Sequence, residues 1–304
     1  MVSNPQKGMI RSPLRYPGGK GAFATFFIEL IKKNRLEGGK YVEPFAGGAG
    51  VALGLLSSGV VSEVIINDAD YHIYSFWKSV LNDTERFIEE IKRVEVTINQ
   101  WRKQKKIYEA PNSYTIFEVG FSTFYLNRCN RSGILAGAGP IGGYGQQGKW
   151  RLNARFNKNN LITRIFQIGK YKDKIVTENM DAIDCLSKYI NEKSGGENML
   201  VYVDPPYVSA GNRLYLNTYL NADHRQLANY LLNQRDLIWV ATYDNNILIR
   251  ELYGLCQKWL FGLGYSLQSK QRGKELLIAP KHVELPNKNE VVSKRWNLIE
   301  KITS

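Results

Sequence analysis

The chain has 304 residues, of which 43% are hydrophobic and 23% charged; this is ordinary globular composition, and the length predicts a main domain carrying an insert or a second lobe. It has no uncharged apolar run of about 18 residues and no apolar stretch at its N-terminus, so neither a membrane span nor a signal peptide is expected, and the protein should stay in the cytoplasm. The formal net charge of +13 points to a polyanion as partner, nucleic acid first, although a surface of solvated lysines would account for the charge equally well.

In chain order, "PLRYPGGKGAF" offers a Gly-rich loop, and "AFATFFIELIKKN" follows with helical apolar spacing and a basic last turn. "YVEPFAGGAGVALGLLSSG" reads as strand, glycine turn and helix, and "SEVIIND" as a buried strand ending in acid, which together open a doubly wound sheet. From 71 to 164 the chain turns helical, through "YHIYSFWKSVLN", "DTERFIEEIKRVEVTINQWRKQKK" and "SYTIFEVGFSTFYLNR". An irregular run from Cys129 to Asn160 then mixes Gly, Asn, Arg and Gln with Tyr, Trp and Phe; a stretch so long in a compact domain is functional or disordered, and its aromatics argue for order. Strands and helices resume at "KIVTENMDAIDCL" and continue through "MLVYVDPP", "HRQLANYLLNQ", "LIWVATYD", "NILIRELY" and "KELLIAP". The expected organisation is an α/β domain in two pieces, 8–70 and 165–285, with a basic, mainly helical insert at 71–164. Residues 286–304 read as a loosely attached tail.

Two motifs fall at strand ends, where open α/β sheets bind ligands. Gly47, Gly48 and Gly50 let the backbone approach a ligand closely, and Asp68, about twenty residues on, is placed to accept two ribose hydroxyls. A tight structural turn explains the glycines alone; the spacing to Asp68 favours a ligand. Neither the dinucleotide fingerprint nor a P-loop is complete, since Leu53 and Gly21 stand where a glycine and a Ser or Thr are needed. A nucleoside without a phosphate cradle remains. In "VYVDPPY", Pro205 and Pro206 remove two amide donors and leave carbonyls and the Asp204 carboxylate as acceptors. Acceptors holding both hydrogens of an exocyclic amine keep its lone pair on nitrogen, and Tyr207 offers a ring on which a base can stack. A proline-rich turn with a capping Asp is the plainer alternative for a bare Asp-Pro-Pro.

"PLRYPGGK", "YVEPFAGGAG", "IIND" and "VYVDPPY", in this order and with an insert between the third and fourth, resemble the Dam-type DNA adenine methyltransferases. The resemblance runs from about Pro13 to Pro280 and implies a Rossmann-like methyltransferase sheet with an inserted target-recognition domain, S-adenosylmethionine as methyl donor, and an adenine flipped out of double-stranded DNA. By that resemblance Asp204, Pro205, Pro206 and Tyr207 form the catalytic motif. Tyr16, Gly18, Gly19 and Lys20 match the loop that closes over the cofactor. Phe45, Gly47, Gly50, Asp68, Asn179, Met180 and Asp204 match cofactor positions, while Asp181 is better explained as a helix cap. A restriction endonuclease that cuts the same sequence is a partner the resemblance admits, and a nucleoid location follows from the substrate.

"FYLNRCNRSGI" resembles the start of the family's target-recognition segment, and Arg128, Asn130, Arg131, Tyr144, Gln146, Gln147, Trp150 and Arg155 are the candidates for DNA contact, with phosphates as the commoner target of any one Arg. In GATC-specific relatives an Arg lies just beyond an Asn-Gly pair; this chain has Ser132-Gly133 and then Ala136, which removes the residue such recognition would rest on. Cys129, Cys185 and Cys256 are odd in number and in no metal spacing, so neither a disulfide framework nor a zinc site is expected. None follows Pro, as ring-carbon cytosine methylation would ask; His224, at a helix start, is read as a packing or capping residue, and "HVE" at His282 resembles the start of a zinc-deaminase motif that no P-C-x-x-C completes. An exocyclic-amine methyltransferase acting on cytosine or RNA, and a DNA-binding module on an inactive fold, remain as alternatives.

Overall fold

The computed structural model describes residues 8–15, 20–191, 198–208, 219–263, 273–287, 290 and 296–302. Among them, eight strands form one sheet: β1 (Lys40–Glu43), β2 (Glu63–Asn67), β3 (Ile175–Glu178), β4 (Met199–Val203), β5 (Ile238–Asp244), β6 (Gln257–Leu263), β7 (Gly273–Ala279) and β8 (Trp296–Ile302). Their order is β3-β2-β1-β4-β5-β7-β6-β8. The first five run parallel, and β7, β6 and β8 extend the sheet with antiparallel pairings.

Parallel strands covered on both faces read as continuous apolar runs, and β4, "MLVYV", is buried at every position. Side chains alternate between faces. Tyr41, Val64, Ile66, Leu200, Tyr202, Val240 and Leu277 join one apolar cluster, while Val42, Ile65, Met199, Val201, Val203, Trp239 and Ala241 join the other. The first face is covered by α1 (Ala24–Lys33) and α2 (Gly50–Ser58), the second by α8 (Ala182–Asn191), α9 (Asn221–Asn233) and α10 (Ile247–Leu252). In α1, Phe26, Phe27, Leu30 and Ile31 fall on one helical stripe and are fully buried, each contributing about 1.5–3 kcal/mol. Cutting Leu30 back to Ala would open a cavity costing about 2–5 kcal/mol.

Between β2 and β3 the chain forms α3 (Tyr71–Asn82), α4 (Thr84–Arg93), α5 (Ile98–Glu109), α6 (Ile116–Cys129) and α7 (Lys158–Gly169). The Asp70 carboxylate caps α3 by accepting from His72 N at 2.8 Å, and Thr115 with Glu118 forms a capping box on α6. The irregular run after α6 is tied by main-chain bonds, Arg131 N to Gly139 O and Ile141 N to Cys129 O.

Four expectations change. The stretch from Asp83 to Lys106 is two helices, because the chain extends at Val94 and Thr97 caps a new one. The boundary at 164/165 falls inside α7, so the helical segment ends near Gly169. Phe76, Phe124, Leu161 and Ile165 share an apolar cluster with Phe26 and Tyr202, so the insert divides the chain without dividing the core. The tail contributes β8, which pairs with β6; β6 itself carries no turn signal that marks it in the sequence. Among the described residues no helix is long and apolar enough to cross a membrane. Cys129, Cys185 and Cys256 are buried and free, and burial pushes their thiols up to about 12, 12 and 11.

Candidate active site

Strand order reverses between β1 and β4, the point beyond which ligands of such sheets bind. The turn after β1 is fixed from three sides. Gly47 N donates to Asp68 Oδ2 at 2.8 Å, Trp77 Nε1 of α3 donates to Gly47 O at 2.9 Å, and Ala46 N donates to Asn67 O at 2.8 Å. Gly47 has φ 45° and so does Ala49, a left-handed conformation that an alanine holds only where its surroundings impose it. A Cβ on Gly50 would stand 2.9 Å from Gly21 Cα, so this position lets the loop carrying Lys20 pack on the start of α2.

Asp68 closes β2. Its Oδ1 accepts from Asp70 N at 3.0 Å, and Asn179 Nδ2 donates to its carbonyl at 2.8 Å. Burial, then the charge of Asp70, pushes the Asp68 carboxyl up to about 7. Phe45 lies edge-on to Tyr219 at 5.5 Å, and both Phe45 and Met180 pack against the second apolar cluster. Asp181 Oδ1 accepts from Ile183 N at 2.8 Å, the cap on α8 that the sequence suggests.

At the end of β4, Asp204 Oδ1 accepts from Thr242 Oγ1 of β5 at 2.5 Å, and Tyr202 Oη lies 2.8 Å from that threonine. Lys20 Nζ lies 3.2 Å and 3.3 Å from the two Asp204 oxygens, 3.0 Å from Tyr207 Oη and 3.0 Å from Glu275 Oε2 of β7. Lys20 is 6% exposed and Glu275 3%. Burial raises the Asp204 carboxyl, Lys20 opposes that and Glu275 adds to it. Glu43, at the end of β1, links the two halves: it is buried, feels the charges of Asp204 and Asp68, and is held well above the usual carboxylate range by desolvation. Its Oε2 has no hydrogen-bond partner among the described residues. A glycine turn braced by Asp68 and a carboxylate at the end of β4 suit a nucleoside ligand. Tyr16, Gly18 and Gly19 lie outside the described residues.

Residues 16–260 match the model of the D12 class N6 adenine-specific DNA methyltransferases. The chain belongs to this family. It is 25% identical over 226 residues to the type II methyltransferase M.MjaIII of Methanocaldococcus jannaschii, covering 69% of this chain and 73% of that one. It is 26% identical over 222 residues to the modification methylase StsI of Streptococcus sanguinis, covering 68% of this chain and 30% of that one. Among solved structures, a Legionella pneumophila protein aligns over 90% of this chain and 88% of its own at 10% identity with a TM-score of 0.34, too remote to bear on function. The protein is an adenine-specific DNA methyltransferase.

In the methyltransferase's helical segment the candidate DNA contacts separate by what their side chains already hold. Arg131, Tyr144, Gln147, Trp150 and Arg155 are exposed, Trp150 at 63% and Tyr144 at 57%. Asn130 is corrected. It is 1% exposed, its Oδ1 accepts from Trp101 Nε1 at 2.7 Å and its Nδ2 donates to Ile134 O at 2.8 Å, so neither end of the amide is free for a base edge. Gln146 is corrected likewise: Nε2 donates to Ile141 O and Gly143 O, and Oε1 accepts from Leu152 N. Arg128 donates to the carbonyls of Arg155 and Pro13, and burial beside Arg15 and Arg164 disfavours its charged form. His224 is buried edge-on between Tyr219 and Tyr243, with neither ring nitrogen bonded among the described residues.

Sequence reasoning left Asn67, Trp77, Glu43, Thr242 and Glu275 unassigned. Asn67 and Glu43 stand inside quoted motifs, at the ends of buried strands, which is the one signal that marks them.

Proposed function

We propose that the methyltransferase modifies the 6-amino group of an adenine flipped out of double-stranded DNA, with S-adenosylmethionine as methyl donor. The observation that carries this reading is that Asp204 and Tyr207 follow directly on β4 while the glycine turn, bonded to Asp68, follows β1, the strand paired parallel to β4. When bound, S-adenosylmethionine supplies an electrophilic methyl on a sulfonium and leaves as the neutral thioether. Asp68 accepts the ribose hydroxyls, the Gly47 turn lets the backbone come close, and Phe45 and Met180 flank the purine. Asn179, tied to the Asp68 carbonyl, holds the rim, and Tyr16, Gly18 and Lys20 are cofactor residues by the family resemblance.

Asp204 and the Pro205 carbonyl accept the two hydrogens of the target amine, which keeps the lone pair on nitrogen and directs it at the methyl. Pro206 stiffens the turn, and Tyr207 stacks on the extruded base. Such a contact is worth about 1–3 kcal/mol, comparable to the few kcal/mol that flipping costs. Forming the new N–C bond leaves the nitrogen with one proton too many. Asp204, whose carboxyl burial raises, takes that proton and releases it to solvent. The helical segment serves as the target-recognition domain, with Arg131, Tyr144, Trp150 and Arg155 facing DNA. The names of two relatives, a type II methyltransferase and a modification methylase, support a role in DNA modification; a restriction endonuclease as partner and a cytoplasmic place at the nucleoid follow from that reading of the substrate.

Two measurements test this reading. Calorimetric titration of S-adenosylmethionine should give binding that Asp68→Asn weakens. Single-molecule sequencing of DNA from cells expressing the chain should find 6-methyladenine in one sequence context; modified cytosine, or no modified base despite cofactor binding, would overturn it.

A further inference from the structure

The Lys20 ammonium is bonded in a way that conflicts with the role given to Asp204. The ammonium donates to the Asp204 carboxylate and the Tyr207 hydroxyl and forms an ion pair with Glu275 Oε2 at 3.0 Å without aiming a hydrogen bond at it. Lys20 lies within 3.3 Å of both Asp204 oxygens, and Oδ1 also takes the Thr242 hydroxyl. A target amine must win one of those oxygens. As it is methylated its nitrogen turns positive, next to a fixed positive charge with little water to screen it. A lysine held on Asp204 therefore opposes both capture of the amine and the step that follows.

Glu275 offers the alternative. It sits on β7, opposite Asp244 of β5 and Phe261 of β6, 3% exposed and 3.0 Å from the ammonium. Asp204 is the more open of the two acids, with 22% of its side chain exposed against 4% for Glu275. A carboxylate as deep as Glu275 needs a countercharge, and Lys20 is in place to provide one. The ammonium can move off Asp204 while keeping its bond to Tyr207 and its ion pair with the deeper Glu275, which leaves the more open Asp204 carboxylate for the amine and, as methylation proceeds, for its developing positive charge.

We infer that Glu275 is a positioning residue that draws the Lys20 ammonium away from Asp204 when the target amine arrives, freeing the carboxylate and fixing the Tyr207 ring through its hydroxyl. This rests on the reading that Asp204 receives the amine. Glu275 touches neither DNA nor methyl donor in this account and acts only through Lys20.

The test is single-turnover methyl transfer to unmethylated duplex by the full chain, comparing wild type, Glu275→Gln, Lys20→Met and the double variant. Glu275→Gln should slow the step about 10-fold or more while the dissociation constants for DNA and cofactor stay within about twofold, and Glu275→Asp should recover part of the rate. In the Lys20→Met background, Glu275→Gln should change the rate by less than about twofold, because no ammonium is left to place. An undiminished rate in Glu275→Gln, or a loss of the same size in both backgrounds, would overturn the inference. Should Glu275→Gln fail to fold, a crystal structure of the wild-type chain with duplex and the demethylated cofactor decides: Nζ within about 3.2 Å of Glu275 and out of hydrogen-bond range of Asp204 supports it, and Nζ still on Asp204 refutes it. An active Asp204→Asn variant would instead bring down the reading of Asp204, a separate failure.

Discussion

Asn67 and Met180 are joined by a reciprocal pair of hydrogen bonds: Asn67 Nδ2 donates to Met180 O at 3.0 Å, and Met180 N donates to Asn67 Oδ1 at 3.0 Å. The same amide donates to Pro44 O at 2.9 Å, so one buried side chain at the end of β2 fixes the loops that follow β1 and β3. Replacing it by Ala strands three main-chain groups. Asn67→Ala should lower stability by about 1–3 kcal/mol, read by urea unfolding, and should weaken cofactor binding by at least as much as Asp68→Asn. Unchanged affinity would show that these loops hold their places without it.

Asp68 gives a signed pH dependence. Its carboxyl, pushed up to about 7 in the folded chain, stands above the unfolded value of about 3.9. The folded state therefore binds the extra proton between these values, and this group's share of stability is complete below about pH 4 and is lost as pH rises through about 7. Ligand binding runs the other way, since only the carboxylate accepts two hydroxyls. Cofactor affinity should rise from pH 6 to pH 8 while the melting temperature falls over the same interval, and Asp68→Asn should flatten both. A wild-type affinity profile with no step near pH 7 would contradict the role.

Much of this architecture is legible before any coordinates. "YVE", "EVIIN", "MLVYV" and "KELLIA" announce themselves as strands by unbroken apolar runs, and the residues quoted for the site stand at their ends. What escapes is set by tertiary pairing. β8 gains its partner only by meeting β6, and Glu275 reaches Lys20 because β7 runs antiparallel beside β5, across a separation in sequence that no local pattern bridges. Asn130 and Gln146 mislead for another reason: in an irregular segment an amide side chain often satisfies its own backbone, and both do.

Tyr207 separates stacking from hydroxyl bonding. Tyr207→Ala should cost about 1–3 kcal/mol in capture of the extruded base, visible as reduced 2-aminopurine fluorescence when that analogue replaces the target adenine. Tyr207→Phe keeps the ring but loses the Lys20 contact at 3.0 Å that fixes it, so flipping should fall by clearly less than in Tyr207→Ala. Equal losses in both variants would mean that the hydroxyl, not the ring, carries the effect.

The exposed arginines of the helical segment predict a salt signature. If Arg131 or Arg155 meets a phosphate, its Ala variant should weaken binding to all duplexes alike and reduce the slope of log K against log salt by about 1. Loss confined to one sequence, with the slope intact, would make the residue a base reader instead. Asn130→Ala, by contrast, should act on stability, because its amide is buried between Trp101 and Ile134.

Transfer of tritiated methyl from S-adenosylmethionine to unmethylated duplex, with nucleoside analysis of the product, compares wild type and Asp204→Asn most directly. The account predicts label in 6-methyladenine for wild type, a loss of about 100-fold or more for the variant, and DNA binding unchanged between them. Label in another base, or an Asp204→Asn variant that methylates at the wild-type rate, would contradict it.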